Sequence, residues 1–487
     1  MLPNIILWLL SYVRDLLRAR WHQISSSQKT ISVLPPEVLC EIFKHLDSRG
    51  LLATKLTCKT FYNTTRSRQF WYRLVESCES IRGGSKINES INRLAILDLE
   101  RWVMRRLRAY ESWFSDAPLA FRARQFQCSK VKIGQSKLLP GGRWLLTSTP
   151  HGQYFIYDLD SPHTEPQLLF DPGEYNGEDR TRDELTYFSV WVNPVGETLS
   201  FRVVVWRRGR LLAGRATRTQ IYEATLEEDG RKFLSTGAPL YTSLTYGDNK
   251  SRIAISDKYL AEIWTVGNGE GGFRPVLFVC QYMADEGFNS RLEVRADLVT
   301  TGVLYHIYMT LNDHIVVAGH NFIEIYTISQ FRSLGEQEKL GPLHRLQFPS
   351  ASSISRLVQP FPYQNFLWAV FVIRGKEIRV MRIPRNASDH PLEVTLGCRS
   401  QDWGRLSDPT FISQTATASL HDQTMDVLTY SWDKELTERH FYAHHYQLPS
   451  LPEVHWSDFT IEGVDAATGR ILLLHDSENS GIILDIE

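Results

Sequence analysis

The chain has 487 residues, 43% hydrophobic and 22% charged, which excludes an intrinsically disordered polymer and leaves room for about two to four domains. Its 54 Lys and Arg against 55 Asp and Glu give a formal charge of −1, so no general attraction to nucleic acid or to an anionic membrane is expected. Thirteen Trp, 20 Tyr and 23 Phe suit a strand-rich body with large buried side chains.

The first residues, MLPNIILWLLSYV, are apolar from Ile5 to Val13 and are then interrupted by Arg14 and Asp15. That run is too short to span a bilayer, which takes about 20 residues, and it lacks the basic flank of a secretory signal. Asn4, Ser11, Asp15, Arg18 and His22 recur at helical spacing, with Ile6, Leu9, Leu10, Val13, Leu17, Trp21 and Ile24 filling the other side. The pattern predicts an amphipathic helix that docks its apolar side onto the rest of the protein. The polar side is too poor in Lys and Arg for an interfacial membrane anchor. Residues 1–30 are read as this helix and a polar connector.

Residues 31–78 read as a small helical domain. Leu34-Pro35-Pro36-Glu37 opens a helix, since proline fits the first turn and Glu37 complements the dipole. Val38, Leu39, Ile42, Phe43 and Leu46 form one apolar face, and Asp47-Ser48 offers an N-cap for the next helix. Leu51, Leu52, Leu56, Phe61 and Trp71 add apolar bulk. A core this small leaves an apolar face over for a partner or an adjoining domain.

The segment resembles an F-box on Leu34, Pro35, Glu37, Leu39, Ile42, Phe43, Leu46, Asp47, Leu51, Leu52, Cys58, Lys59, Phe61 and Trp71, with no insertion. It departs at Gly50, where the family usually has Asp or Glu, and at Asn63-Thr64-Thr65, which is more polar than usual where a third helix is expected to begin. The resemblance implies docking on a Skp-type adaptor, and through it on a cullin and a RING protein. The expected contact set is Leu34, Pro35, Leu39, Ile42, Leu46, Leu51 and Lys59. Phe43, Leu56, Phe61 and Trp71 are expected to close the core.

Residues 79–126 are predicted to be linker helices. Ile96, Leu99, Val103, Leu107, Tyr110 and Phe114 step by three or four, and Arg101, Arg105, Arg106 and Arg108 read as the solvated face. Interleaved Asp98, Glu100 and Glu111 argue against a nucleic-acid surface.

From residue 127 to 487 short β-branched and aromatic runs alternate with turn residues. LLPGGRWLLTSTPHGQYFIYDLD reads as turn, strand, turn, strand, with a Tyr157-Asp158 close that resembles WD repeats. Related units are FRVVVW with TQIYEATLEE, SRIAISDKYLAEIWTV, HIVVAGHNFIEIYTI, FLWAVFVIRGKEIRVMRI and GRILLLHDSENSGIILDIE. Their spacing predicts a β-propeller-like domain of about seven or eight blades, the alternative being a pair of β-sandwiches. The last unit runs to Glu487, as in a ring closed by its terminal strands. The fold class is therefore multidomain, α followed by all-β.

No catalytic constellation, metal site or cofactor motif is expected. Gly267-Asn268-Gly269-Glu270-Gly271-Gly272 lies between two predicted strands and reads as a hairpin loop, not a phosphate cradle. His440, His444 and His445 fall in a strand, at a spacing too long for a tight chelate. Ser431–Thr437 resembles the Asp-box turn of sialidases but has Glu435 where glycine is needed. Cys40, Cys58, Cys78, Cys128, Cys280 and Cys398 are scattered without a C-x-x-C pair and read as reduced thiols. The sequons at Asn63, Asn88 and Asn386 carry little meaning in such a chain. Arg202, Arg207, Arg208, Arg210, Arg215 and Arg218 surround an expected hairpin at Arg208-Gly209, and Arg207, Arg208 and Arg210 are candidates to grip an anionic, phosphorylated client peptide.

These readings converge on a non-catalytic substrate adaptor of an SCF-type ubiquitin ligase, cytoplasmic or nuclear, with an unknown protein client and no membrane partner. A scaffold using the same adaptor outside a ligase is the second reading. An enzyme in the propeller channel is the third, which a cluster of shifted acidic residues there would favour.

Overall fold

The computed structural model describes residues 31–486 apart from 81–86, 116–119, 128–132, 151, 162–164, 173–185, 195, 212–213, 247–249, 268–272, 284–293, 298–303, 311–313, 330–340, 349–353, 358–360, 364–365, 374–376, 385–391, 396–410, 413–415, 422–423, 433–438, 449–450, 452–453 and 476–479. The expected amphipathic helix of residues 1–30, Cys128, Cys398 and Asn386 lie outside the described residues. The chain divides into two compact units, residues 1–70 and 71–487.

The first unit contains α1 (Pro36–Phe43), α2 (Ser48–Thr57) and α3 (Lys59–Thr65), and α4 (Arg68–Ser80) begins at its end. Pro36 stands at the first position of α1, where its missing N–H costs nothing. Asp47 caps α2: its Oδ1 accepts from the Gly50 amide at 2.6 Å. A Cβ at Gly50 would stand 2.7 Å from that oxygen, so the departure from Asp or Glu at this position goes with a tight cap. Asn63-Thr64-Thr65 ends α3 rather than beginning a helix. Thr64 and Thr65 are buried, and their hydroxyls donate back to the carbonyls of Thr60 and Phe61 at 2.9 and 3.0 Å, which satisfies the polarity that looked out of place. Phe43 packs edge-on against Phe61 and Phe70 at 5.1 and 6.4 Å between centroids, over buried Leu39 and Leu51.

The second unit carries α5 (Ile96–Trp113) and, among the described residues, thirty strands. Strand β1 (Phe121–Gln127) begins ahead of the boundary expected at residue 127. β2 (Gln135–Leu138), β3 (Trp144–Ser148), β4 (Tyr154–Asp158) and β5 (Gln167–Phe170) form one antiparallel sheet. The next holds β6 (Thr186–Val192), β7 (Ser200–Leu211), β8 (Gly214–Leu226), β9 (Phe233–Ser235) and β10 (Tyr241–Tyr246), the last two both paired to β8. Then come β11 (Lys250–Ile255), β12 (Tyr259–Gly267), β13 (Phe273–Gln281) and β14 (Val294–Asp297). β15 (Leu304–Met309), β16 (His314–Gly319), β17 (Phe322–Thr327) and β18 (His344–Gln347) form the fourth. β19 (Ile354–Leu357), β20 (Phe361–Tyr363), β21 (Phe366–Ile373), β22 (Glu377–Pro384) and β23 (Leu392–Thr395) form the fifth. β24 (Phe411–Ile412), β25 (Ala416–His421), β26 (Thr424–Trp432) and β27 (Arg439–Gln447) form the sixth. β28 (Phe459–Asp465), β29 (Arg470–His475) and β30 (Ser480–Ile486) complete a seventh with β1, which pairs antiparallel with β30 from Phe121↔Ile486 to Gln127↔Ser480.

Among the described residues six junctions between sheets that are neighbours in chain order are packed. Described side-chain clusters run from the β24–β27 sheet to the closing sheet, then to the sheet of β2–β5, and onward as far as the sheet of β19–β23. First strands of neighbouring sheets also touch, β28 beside β2 and β24, and β11 beside β6 and β15. Sheets that meet in sequence, touch at their first strands and close head to tail make a propeller-like ring, not a pair of sandwiches.

Closure is electrostatic as well as hydrogen-bonded. Asp485 of β30 accepts from Arg470 at 2.7 Å, from Arg124 of β1 at 2.6 Å and from Arg105 of α5 at 2.7 Å. Arg470 also donates to Asp160 at 2.7 Å and to the Gly142 carbonyl at 2.6 Å, both beside the first complete sheet. Asp465 accepts from the Gly141 amide at 2.6 Å across the same junction. Arg143 chelates Asp158 at 3.0 and 2.7 Å and pairs with Glu89. Burial by itself would raise the Asp485 and Asp160 carboxyls. The guanidiniums around them outweigh it and hold both below the usual carboxylate range.

The expected linker helix is thus part of the strand-rich unit. Its buried side is Leu99, Val103, Met104, Arg106, Ala109 and Trp113, while Tyr110 of the expected apolar stripe is exposed. Arg105 and Arg106 are not on a solvated face: Arg105 donates to the Thr468 carbonyl and Asp485, and Arg106 is buried over the Trp102 ring. Trp113 donates to the Ala466 carbonyl at 2.9 Å.

Asp485→Asn is expected to destabilise the strand-rich unit by about 3–5 kcal/mol in urea denaturation, because it leaves three guanidiniums short of their counter-charge. The acid limb carries the same signature. Both carboxyls have depressed folded pKa values, so their contribution is complete above about pH 4, the unfolded value, and is lost as pH falls through the lower folded value. Denaturation midpoints measured from pH 6 to 2 should fall less steeply in Asp485→Asn than in wild type.

Candidate functional site: an apolar face on the helical unit

The helices of the first unit are short, and each buries a narrow stripe. In α1 the inward residues are Leu39 and Phe43, four apart; in α2 the buried hydrophobic residue is Leu51. The flanks carry second apolar pairs at the same helical spacing, Val38 with half-buried Ile42 on α1 and Leu52 with Leu56 on α2. Val38 and Leu52 are exposed, Leu56 is 86% exposed, and Ile31 ahead of α1 is 50% exposed. Pro35 is exposed beside half-buried Leu34. The rim is charged: Glu37 and Lys59 are exposed, and Lys44 pairs with Glu41 on the surface of α1. Several large apolar side chains thus stand in water on a small body.

The expected contact set divides. Pro35 and Lys59 are exposed, and Leu34, Ile42 and Leu46 are half-buried, all within reach of a partner. Leu39 and Leu51 are not: at 0% and 3% exposure they are core. Leu56 is the opposite correction, an expected core residue that faces solvent; Phe43, Phe61 and Trp71 are buried as expected. Ile31, Val38 and Leu52, which were not in the expected set, are exposed apolar residues as well. The i, i+4 pairing of Leu52 with Leu56, one position off Leu51, was the signal for them.

The arginines of the second unit are placed differently from expectation. β7 and β8 pair through Arg208↔Thr217, Gly209↔Ala216 and Arg210↔Arg215 to Leu211↔Gly214, so Arg208-Gly209 is strand and the turn comes later. Arg207 is 5% exposed and donates to the Gly152 carbonyl at 2.9 Å, so it clamps a neighbouring turn and is not available to a client. Arg202 donates to Glu223 at 2.9 Å, to the Tyr282 hydroxyl at 3.1 Å and to the Asp257 carbonyl, and lies over Trp191. The side chains of Arg208, Arg210 and Arg215 lie outside the described residues. By register these three positions share one face of the β7–β8 hairpin, opposite the face of Arg207 and Arg218.

Other sequence features resolve simply. Gly267 pairs with Phe273 across the β12–β13 hairpin, so its glycines join two antiparallel strands, as expected. His440, His444 and His445 are in β27, a strand as expected. Residues 433–438, most of the Asp-box-like turn, lie outside the described residues. Among the described residues no cluster of His, Cys, Asp and Glu could hold a metal, and no helix is long and apolar enough to cross a membrane. Cys40, Cys58, Cys78 and Cys280 are reduced thiols, and burial pushes the Cys78 thiol up to about 11. On the first strands, burial raises the Glu462 carboxyl to about 7 against a hydrogen bond from Ser136 and the charge of Lys137, a single acid facing a base rather than an acidic cluster.

A family model described as F-box-like matches residues 31–77. The β-propeller domain of Cps50 (Swd1) from Myceliophteria thermophila, a crystal structure, is similar to this chain at 9% identity and a TM-score of 0.40, covering 76% of this chain and all of that one. No curated protein sequence matches the chain.

Burial separates the two kinds of leucine experimentally. Leu51→Ala is expected to cost about 2–5 kcal/mol and to accelerate amide exchange throughout α1–α3. Leu56→Ala should change stability by about 0.5 kcal/mol or less and leave that exchange unaltered.

Proposed function

Given an F-box-like domain at residues 31–77 ahead of a propeller-like ring, we propose that this protein is the substrate-recognition adaptor of an SCF-type ubiquitin ligase. The helical unit docks on a Skp-type adaptor, which brings the cullin and the RING protein, and the ring binds the client. The observation that carries the docking half is the exposed apolar set Ile31, Pro35, Val38, Leu52 and Leu56, flanked by Leu34, Ile42, Leu46 and Lys59. Burying such side chains in an interface yields about 25 cal/mol for each Å² of apolar surface removed from water. The chain needs no bond chemistry of its own. Holding a client beside the ubiquitin-charged machinery raises the effective concentration of its lysines. The client half rests on the β7–β8 hairpin, whose strands are the longest among the described residues. Arg208, Arg210 and Arg215 share one of its faces and suit an acidic or phosphorylated segment.

The test is co-purification with the Skp-type adaptor and cullin. Leu52→Asp/Leu56→Asp is expected to lose both partners while keeping the wild-type circular dichroism and melting temperature. Retention of both by the folded variant would overturn the docking surface. Capture of the adaptor without cullin would favour a scaffold outside the ligase. Arg208→Glu/Arg210→Glu should release clients recovered with wild type and leave adaptor capture intact; unchanged client recovery would remove the hairpin from the client site.

A further inference from the structure

Each sheet of the ring ends in an outer strand whose far edge presents a row of main-chain N–H and C=O groups. Charge, shortness or cover keeps such edges from pairing with other chains. The outer strands β1, β14, β18, β23 and β27 carry charge, including Arg122, Arg295, Arg345, Glu393 and Arg439. β5 has only 4 residues, and its Gln167 side chain engages both the amide and the carbonyl of Phe233 in β9. β10 has none of these devices. Tyr241-Thr242-Ser243-Leu244-Thr245-Tyr246 holds no charge and no proline, and it pairs with β8 without a bulge from Tyr241↔Ile221 to Tyr246↔Ala216. Among the described residues no strand pairs with its other edge. We propose that this edge is a docking site for an extended acidic peptide segment of a partner protein, which adds to the sheet as a further strand and answers Arg218 with a carboxylate.

Three observations define the occupant. The first is the edge itself: a row of main-chain donors and acceptors is met in full by another extended backbone. The second is the side-chain pattern. Leu240, Thr242 and Leu244 are exposed while Tyr241, Ser243 and Thr245 are half-buried, so the strand offers an alternating rim with Leu240 37% and Leu244 45% exposed. An added strand covers those leucines with every second side chain. The third is charge. Leu244 pairs directly with Arg218, so the two share one face of the sheet. Arg218 is half-buried, and among the described residues it takes part in no ion pair and no hydrogen bond. A strand added to β10 lies about 10 Å from β8, a gap that an arginine and a carboxylate side chain close from its two sides, over Leu244.

The same charge speaks against a second copy of the chain as the occupant. Two paired β10 strands would bring two Arg218 side chains together, with no acid in either strand. The site is also separate from the one given to the client under Proposed function, since Arg218 lies on the opposite face of the β7–β8 hairpin from Arg208, Arg210 and Arg215.

The experiment uses the full chain and two fluorescein-labelled peptides, Ser-Val-Thr-Asp-Thr-Val-Ser and the same peptide with lysine in place of aspartate. Each puts its valines and its central charge on one side of a strand. In anisotropy titrations the aspartate peptide is expected to bind wild type about tenfold more tightly than the lysine peptide, and at saturation to slow amide exchange at residues 241–246. Arg218→Glu is expected to reverse the preference, which a merely destabilised ring would not do. Leu244→Lys, at an exposed position, should weaken both peptides about tenfold by charging the edge. Circular dichroism and Tm establish that both variants are folded. No binding of the aspartate peptide up to about 1 mM would overturn the proposal. Binding that leaves exchange at 241–246 unchanged, or a preference that Arg218→Glu does not alter, would overturn it as well. Protection of 241–246 that grows with protein concentration in the absence of peptide would overturn it in favour of a second copy.

Discussion

The closure of the strand-rich unit turns on Asp485. A ring of sheets has one seam where the chain must pair with its own distant beginning, and here that seam is β1 against β30. Asp485 lies on the seam and gathers guanidiniums from three directions: the neighbouring strand through Arg470, the far end of the chain through Arg124, and α5 through Arg105. A carboxylate so placed neutralises charges that would otherwise be buried without compensation, and it couples strand pairing, helix docking and the junction with the next sheet into one unit. The contribution is lost when the carboxylate takes up a proton, which is why the seam should be an acid-sensitive point of the fold.

The same device recurs between other sheets. Arg470 reaches the Gly142 carbonyl, Arg207 the Gly152 carbonyl and Arg202 the Asp257 carbonyl, each in a turn of a neighbouring sheet. Guanidinium presents several donors in a plane, and a tight turn presents carbonyls that no strand partner uses. At Gly152, φ is +82° and a Cβ would overlap Arg207, so the turn glycine leaves room for the arginine. Arginines that look in sequence like one recognition patch are therefore not one set. Arg202 and Arg207 hold sheets together, while the face of Arg208, Arg210 and Arg215 remains with the proposed client site.

The helical unit follows an opposite logic. Its core is a handful of residues around Phe43, and its exposed apolar flank is as conspicuous as its core. A body that small gains little from internal burial and much from a partner, which is the thermodynamic ground of its proposed docking role.

The alternation of apolar runs with turn residues determined the sheets and hairpins, because a two-residue repeat and left-handed turn glycines are local properties of the chain. Asp47 as an N-cap and Pro36 at a first turn were legible for the same reason. The helix pattern determined that α1, α2 and α5 each have an apolar stripe. It did not determine which of two adjacent stripes is buried: Leu56 faces water, Leu39 and Leu51 do not, and Arg106 is buried where Tyr110 was expected. A helix packs the stripe that its neighbours can accept, and those neighbours lie hundreds of residues away for α5, at Ala466, Thr468 and Asp485. The pairing of Asp485 with Arg105 and Arg124 was likewise invisible in sequence, since no local rule links residues that meet only when the ring closes. Tertiary structure alone decided the phase of the helices and the partners of the charges.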